Sequence, residues 1–90
     1  MTVSYKISVK GRVQGVWFRK YTKDRAEALK LSGFARNEID GSVYIEVEGE
    51  EDQLTEFIDW LYIGSPLSKV RSVVIEPNAL QGHISFKIRR

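Results

Sequence analysis

Ninety residues are enough for one small domain with one core and too few for two. With 42% hydrophobic and 29% charged residues, the composition is that of a soluble globular protein and excludes disordered and membrane-spanning classes. The absence of cysteine removes disulfides, thiol nucleophiles and Cys-based metal sites together, and a net charge of +2 is too mild to imply nucleic acid while slightly favouring a small anionic partner.

The chain opens on "MTVSYKISVK", which has no apolar run of signal-peptide length, so cytoplasm is the expected compartment and no membrane association is expected. Val3, Tyr5, Ile7 and Val9 alternate with Ser4, Lys6, Ser8 and Lys10, which predicts a half-buried strand ending near Gly11. A glycine-bracketed loop follows. Phe18, Thr22, Ala26 and Leu29 then recur at helical spacing, with a helix start near Trp17 or Phe18 and a stop near Gly33. "FARNEI", Phe34 to Ile39, predicts a second strand, Asp40-Gly41 a hairpin turn, and "SVYIEVEG" a third strand with Val43, Ile45 and Val47 inward. Glu50 to Ile63 carries Leu54, Phe57, Ile58 and Leu61 on one stripe behind an acidic first turn, and "GSP" stops it. Val70 to Glu76 predicts a fourth strand, and Ile84, Phe86 and Ile88 alternate in a last one. The order βαββαβ, with an extra C-terminal strand, predicts a two-layer α+β sandwich of the ferredoxin-like kind, both helices on one face of a mostly antiparallel sheet. Neither helix shows a second apolar stripe, so a monomer is expected.

The loop between the first strand and the first helix raises a chemical question. The helix is preceded by "QGV" where Ser, Thr, Asp or Asn would ordinarily cap its first amides. An anion can serve as that cap, because free backbone amides and the helix dipole together favour phosphate. Gly11 and Gly15 would let the backbone curl around it, and Arg19 in the first turn could reach back as a two-pronged donor. Spacing alone leaves open the plainer reading, with Gly15 a tolerated cap and Arg19 a solvated charge, since neither of the common phosphate-loop patterns is present.

The stretch Gly11-Arg12-Val13-Gln14-Gly15-Val16-Trp17-Phe18-Arg19 resembles the first signature of acylphosphatases, "G-x-V-Q-G-V-x-F-R". "GFARNEIDGSVYIEVEG", Gly33 to Gly49, is similar to the family's second signature, and "WLYIGSP", Trp60 to Pro66, resembles its end of the second helix. The resemblance extends over nearly all of residues 1–90 as one domain. It implies hydrolysis of small acyl phosphates to carboxylate and inorganic phosphate, without metal or cofactor. It implies that Arg19 and the loop amides of Gln14, Gly15, Val16, Trp17, Phe18 and Arg19 bind the phosphate, and that Asn37 orients the attacking water. So sparse a site is chemically reasonable. The leaving carboxylate has a conjugate-acid pKa of about 4 and departs without a general acid, unlike the alkoxide of a phosphate ester.

Plainer readings stand beside these roles. Without the motif Asn37 is a polar residue on a strand, His83 a surface turn residue, Arg89 and Arg90 solvated charges, and Lys10 and Arg12 ordinary surface cations. Glu50, Glu51 and Asp52 complement the helix dipole. Two positions depart from common relatives: Trp17 sets a large ring at the loop's mouth, and Glu38 adds a negative charge that would weaken anion binding if it faced the cradle. A cradle built on phosphate touches little of the acyl group, so broad acyl acceptance is expected. The competing class is a single-stranded RNA binder stacking bases on Tyr5, Phe34, Tyr44 or Phe86, disfavoured because Glu46 and Glu48 share the face of Tyr44. A phosphate-handling module working within a larger protein is a third reading, and a free-standing chain of this length argues against it.

Overall fold

The computed structural model describes residues 1–90. Seven elements follow in the order β1 (Thr2–Arg12), α1 (Phe18–Ala28), β2 (Ser32–Asn37), β3 (Val43–Glu50), α2 (Glu51–Ile63), β4 (Lys69–Pro77) and β5 (Phe86–Arg89). The sheet order is β4-β1-β3-β2-β5, antiparallel except for the β2–β5 pair, and both helices lie on one face. This is the expected ferredoxin-like sandwich with a fifth strand. Ile7, Val9, Val43, Ile45 and Val47 line the covered face and meet Phe18 and Ala26 of α1 and Leu54, Phe57 and Leu61 of α2, all at most 1% exposed. Phe86 seals the core from β5, its ring centroid 6.3 Å from that of Phe57. Neither helix is long and apolar enough to cross a membrane.

Four boundaries differ from the sequence expectation, each for a local reason. α1 ends at Ala28, and Gly33, expected as its stop, is paired with Val47 inside β2, where a side chain would strike the Glu46 carbonyl. β1 does not stop at Gly11: a register shift between Lys10 and Gly11 lets Gly11 and Arg12 continue pairing with Val70 and Lys69. Gly11, at φ 130°, is required there because a side chain would strike the Lys69 carbonyl, so this glycine serves the sheet and not the anion loop. β2 lies two residues earlier than "FARNEI". The Glu38 amide donates to the Ser42 carbonyl at 2.8 Å, which turns the chain before Ile39 and leaves that side chain exposed. Asp40 fastens the turn by accepting from the Ser42 hydroxyl at 2.6 Å and the Ser42 amide at 2.9 Å, and these bonds lower its carboxyl below the ordinary range. Ile84 stands outside β5 and is exposed, since the strand begins only at Phe86.

β4 and β5 occupy opposite edges, so residues 78–85 must cross the sheet's open face. The Asn78 amide donates to the Ser4 carbonyl at 3.0 Å, and the Gln81 and His83 amides donate to the Glu48 carboxylate, each at 2.8 Å. His83 is therefore no free turn residue. Its ring packs edge-on to Phe34 and its Nε2 lies 3.6 Å from Glu46. Phe34 is only 4% exposed and Phe86 faces the core, so neither of these two rings is free to stack on a base.

Burial alone would raise the Glu48 carboxyl, but the two strap amides, with Ser4 and His83 beside them, leave it below its ordinary 4.5. The folded carboxyl thus holds its proton less tightly than the unfolded one. Its contribution to stability is complete above about pH 4.5 and is lost as pH falls through the lowered value. Glu48→Gln is expected to cost about 1.5–3 kcal/mol at pH 7, the worth of hydrogen bonds to a charged group, and to flatten the acid limb of stability. Urea unfolding at pH 7 and at acid pH tests this; an acid limb identical to wild type would show that the carboxylate does not hold the strap.

Candidate active site

β1, β2 and β5 run in the same direction, and their C-terminal ends meet at the end of the sheet opposite the strap's anchors. There the chain leaves β1, bends through residues 13–17 and enters α1. Val13 and Val16 are buried and root this loop in the core, while Gly15 (φ 74°) and Trp17 (φ 63°) turn it through the left-handed region. Gly15 suits that conformation; Trp17 adopts it at a cost of about 1–3 kcal/mol. Buried Ser65 donates from Oγ to the Val16 carbonyl at 2.8 Å, and Gln14 Nε2 donates to the carbonyls of Glu38 and Ser42 at 2.8 and 2.9 Å. The loop is thereby tied to the α2–β4 connection on one side and to the β2–β3 turn on the other.

These ties use carbonyls and side chains and leave the loop's amides free. Trp17, at the N-cap, contributes no side-chain cap, and the first amide of α1 to find a backbone partner is Tyr21, bonded to the Trp17 carbonyl at 3.1 Å. The amides of residues 14–20 donate to no other part of the chain.

A cavity of about 450 Å³ opens onto this loop, lined by Val13, Gly15, Trp17, Phe18, Arg19, Lys20, Asn37 and Ile88. Of the residues expected at the site, Gly15, Trp17, Phe18, Arg19 and Asn37 meet on this one cavity. Gln14 and Val16 do not line it with their side chains, which anchor the loop instead. Arg19 extends from the first turn of α1, and its Nη1 donates to the Arg89 carbonyl at 3.0 Å, the guanidinium's one hydrogen bond to the protein. Asn37 ends β2, and its Oδ1 is buried with no donor facing it. A buried amide oxygen without a partner is costly and uncommon, and its residue lines the cavity.

Glu38 does not face the cradle. Its carboxylate accepts from Arg36 Nε at 2.9 Å, and the Arg36 guanidinium lies over Tyr44 on the open face. No acidic side chain lines the cavity, and no three His, Cys, Asp or Glu side chains converge anywhere in the molecule. Sequence reasoning missed five contributors, the first being the buried Val13 of the lining. Lys20 joins the lining, its ammonium bonded to Asp24 at 2.9 Å, which raises its pKa. Ser65 shows in the sequence only as part of a helix stop. Ile88 and the Arg89 carbonyl come from a strand whose position at the sheet's edge no local pattern specifies. Arg89 is also not simply solvated, since its guanidinium lies 4.0 Å from the Phe34 ring centroid.

The sequence model of the family described as Acylphosphatase matches residues 5–88. The chain belongs to the acylphosphatase family. It is 44% identical over 87 residues to an acylphosphatase of Bacillus subtilis, covering 96% of each chain. It is 42% identical over 85 residues to one of Aliivibrio fischeri, covering 94% of each. The crystal structure of acylphosphatase from Bacillus subtilis superposes with a TM-score of 0.95 at 41% identity, covering 100% of both chains. The chain is thus an enzyme, a hydrolase of the acylphosphatase family, and the family's substrates are small acyl phosphates.

Proposed function

We propose that residues 1–90 act as one acylphosphatase domain, a cytoplasmic monomer that cleaves the carboxyl–phosphate bond with Arg19, the amides of Gln14 to Arg19, and Asn37. The observation that carries this reading is the convergence on one cavity of the loop with its unpaired amides, Arg19 and the side chain of Asn37. Amides at a helix N-terminus and a planar cation are the donors a phosphoryl group calls for. Arg19 commits only Nη1 to the protein, so its remaining N–H groups are free for phosphoryl oxygens. Asn37, whose side chain lines the cavity, would hold a water in line with the breaking P–O bond.

Catalysis on this reading is positioning and electrostatics. The donors neutralise charge on the equatorial oxygens as the bond to the acyl oxygen stretches, and the carboxylate leaves unprotonated. No side chain on the cavity is a base. The water gives up its proton late, to a phosphoryl oxygen, after the leaving group has largely departed. A carboxylate leaving group asks for no Lewis acid, so no metal or cofactor is assigned.

The test is phosphate release from acetyl phosphate and benzoyl phosphate with EDTA present. Saturable turnover inhibited competitively by inorganic phosphate is expected; a folded protein that hydrolyses neither overturns the proposal.

A further inference from the structure

The cavity is larger and more apolar than a phosphate requires. A phosphate group alone is far too small to fill about 450 Å³, a size in the range that holds whole small organic ligands. Half of its lining is apolar, namely Val13, Trp17, Phe18 and Ile88. Val13 and Phe18 are 1% exposed and belong to the core. Trp17 and Ile88 are different: they remain 72% and 39% exposed at the cavity's edge.

The fold fixes the backbone position of both. Ile88 pairs with Ala35, so it projects from the same sheet face as Asn37 two residues further along β2. Trp17 is the left-handed residue at the helix entrance, two positions before Arg19, and its backbone is confined by the buried Val16 and Phe18 on either side. An indole carried at this point offers a flat apolar wall next to the donors that would grip the phosphate. An exposed tryptophan in strained backbone serves neither the core nor the turn, where glycine would be cheaper.

The geometry points to an acyl subsite formed by Trp17 and Ile88, which selects acyl phosphates with a flat aromatic or extended apolar acyl group over acetyl phosphate. This rests on the phosphate position proposed above. It narrows the broad acyl acceptance expected from the loop motif alone, because the ring of a benzoyl group lies on the indole while an acetyl methyl group is too short to cover it. Selection arises in the apolar contact and leaves the shared phosphate chemistry unaltered.

Wild type is expected to prefer benzoyl over acetyl phosphate in kcat/KM by about tenfold or more, the scale of one small apolar contact in a substrate pocket. Trp17→Gly, which suits the left-handed backbone and so spares the fold, should erase most of that ratio. Trp17→Phe should keep most of it, and Ile88→Ser should reduce it. A loosened cradle would depress both substrates alike and leave the ratio fixed. Equal kcat/KM for the two substrates in wild type, or an unchanged ratio in Trp17→Gly, overturns the subsite. Binding of phenacylphosphonate and acetonylphosphonate, in which a methylene replaces the bridging oxygen, is measured alongside by calorimetry. If neither phosphate is turned over, the proposed hydrolysis fails by itself. Tighter binding of the phenacyl compound that weakens in Trp17→Gly then still upholds the subsite, and equal binding overturns it.

Discussion

Arg19→Lys is expected to lower kcat/KM for benzoyl phosphate by about 10²–10³-fold, the loss typical of removing one preorganised donor to a charged transition state. Lysine keeps the positive charge but loses the planar fork. That fork matters here because the guanidinium does two things together: Nη1 donates to the Arg89 carbonyl at 3.0 Å, and the rest of the group borders the cavity. A compact ammonium on a flexible stem is not held in one orientation by that carbonyl. Arg19→Ala should lose turnover at least as severely and also lose affinity for inorganic phosphate, read as a raised inhibition constant. Both variants should fold, since the side chain is partly exposed and its only protein hydrogen bond lies at the chain's last strand. A wild-type rate in Arg19→Lys, or an unchanged phosphate inhibition constant in Arg19→Ala, would remove Arg19 from the proposed binding role.

The dependence of Arg19 on β5 shows which parts of this molecule local sequence can and cannot express. Both helices were legible because their apolar stripes, Phe18-Thr22-Ala26 and Leu54-Phe57-Leu61, repeat with the helical period and are buried in the structure. β1 and β3 were legible by alternation, which the antiparallel pairing Ile7↔Ile45 and Val9↔Val43 converts into one covered face. The uncapped helix start was likewise visible as "QGV". What stayed hidden depends on contacts distant in sequence. No pattern around Gly11 announces that Lys69 approaches its backbone, so its glycine was assigned to the loop. Ile84 continues an alternation in sequence, yet the strap must first finish crossing the open face, tied by Glu48 to the Gln81 and His83 amides. Ser65 and Val16 are 49 residues apart, and their bond, which roots the loop, has no local trace. The site's chemistry was readable mainly as a motif resemblance. Its rigidity is a property of the assembled sheet end.

Asn37→Ala carries the second large expectation, and it separates function from stability. The Oδ1 atom is buried and accepts no hydrogen bond within the protein. Leaving such a group unpartnered costs about 1–3 kcal/mol, so its removal deletes no protein contact made by that atom and relieves part of that penalty. The variant should therefore unfold at the wild-type urea midpoint or slightly above it. Turnover should behave oppositely. If the Asn37 side chain holds the attacking water, kcat should fall by about 10²-fold or more, as for other single positioning groups in phosphoryl and acyl transfer. KM and the phosphate inhibition constant should change little, because the phosphate rests on Arg19 and the loop amides. Asn37→Asp sharpens the distinction: it preserves the shape and an accepting oxygen but adds a negative charge facing the substrate, so the phosphate inhibition constant should rise as kcat falls. A wild-type kcat in Asn37→Ala would take the water from Asn37. A loss of stability matching the loss of rate would make this residue a structural one, with its oxygen satisfied by something other than the reacting water.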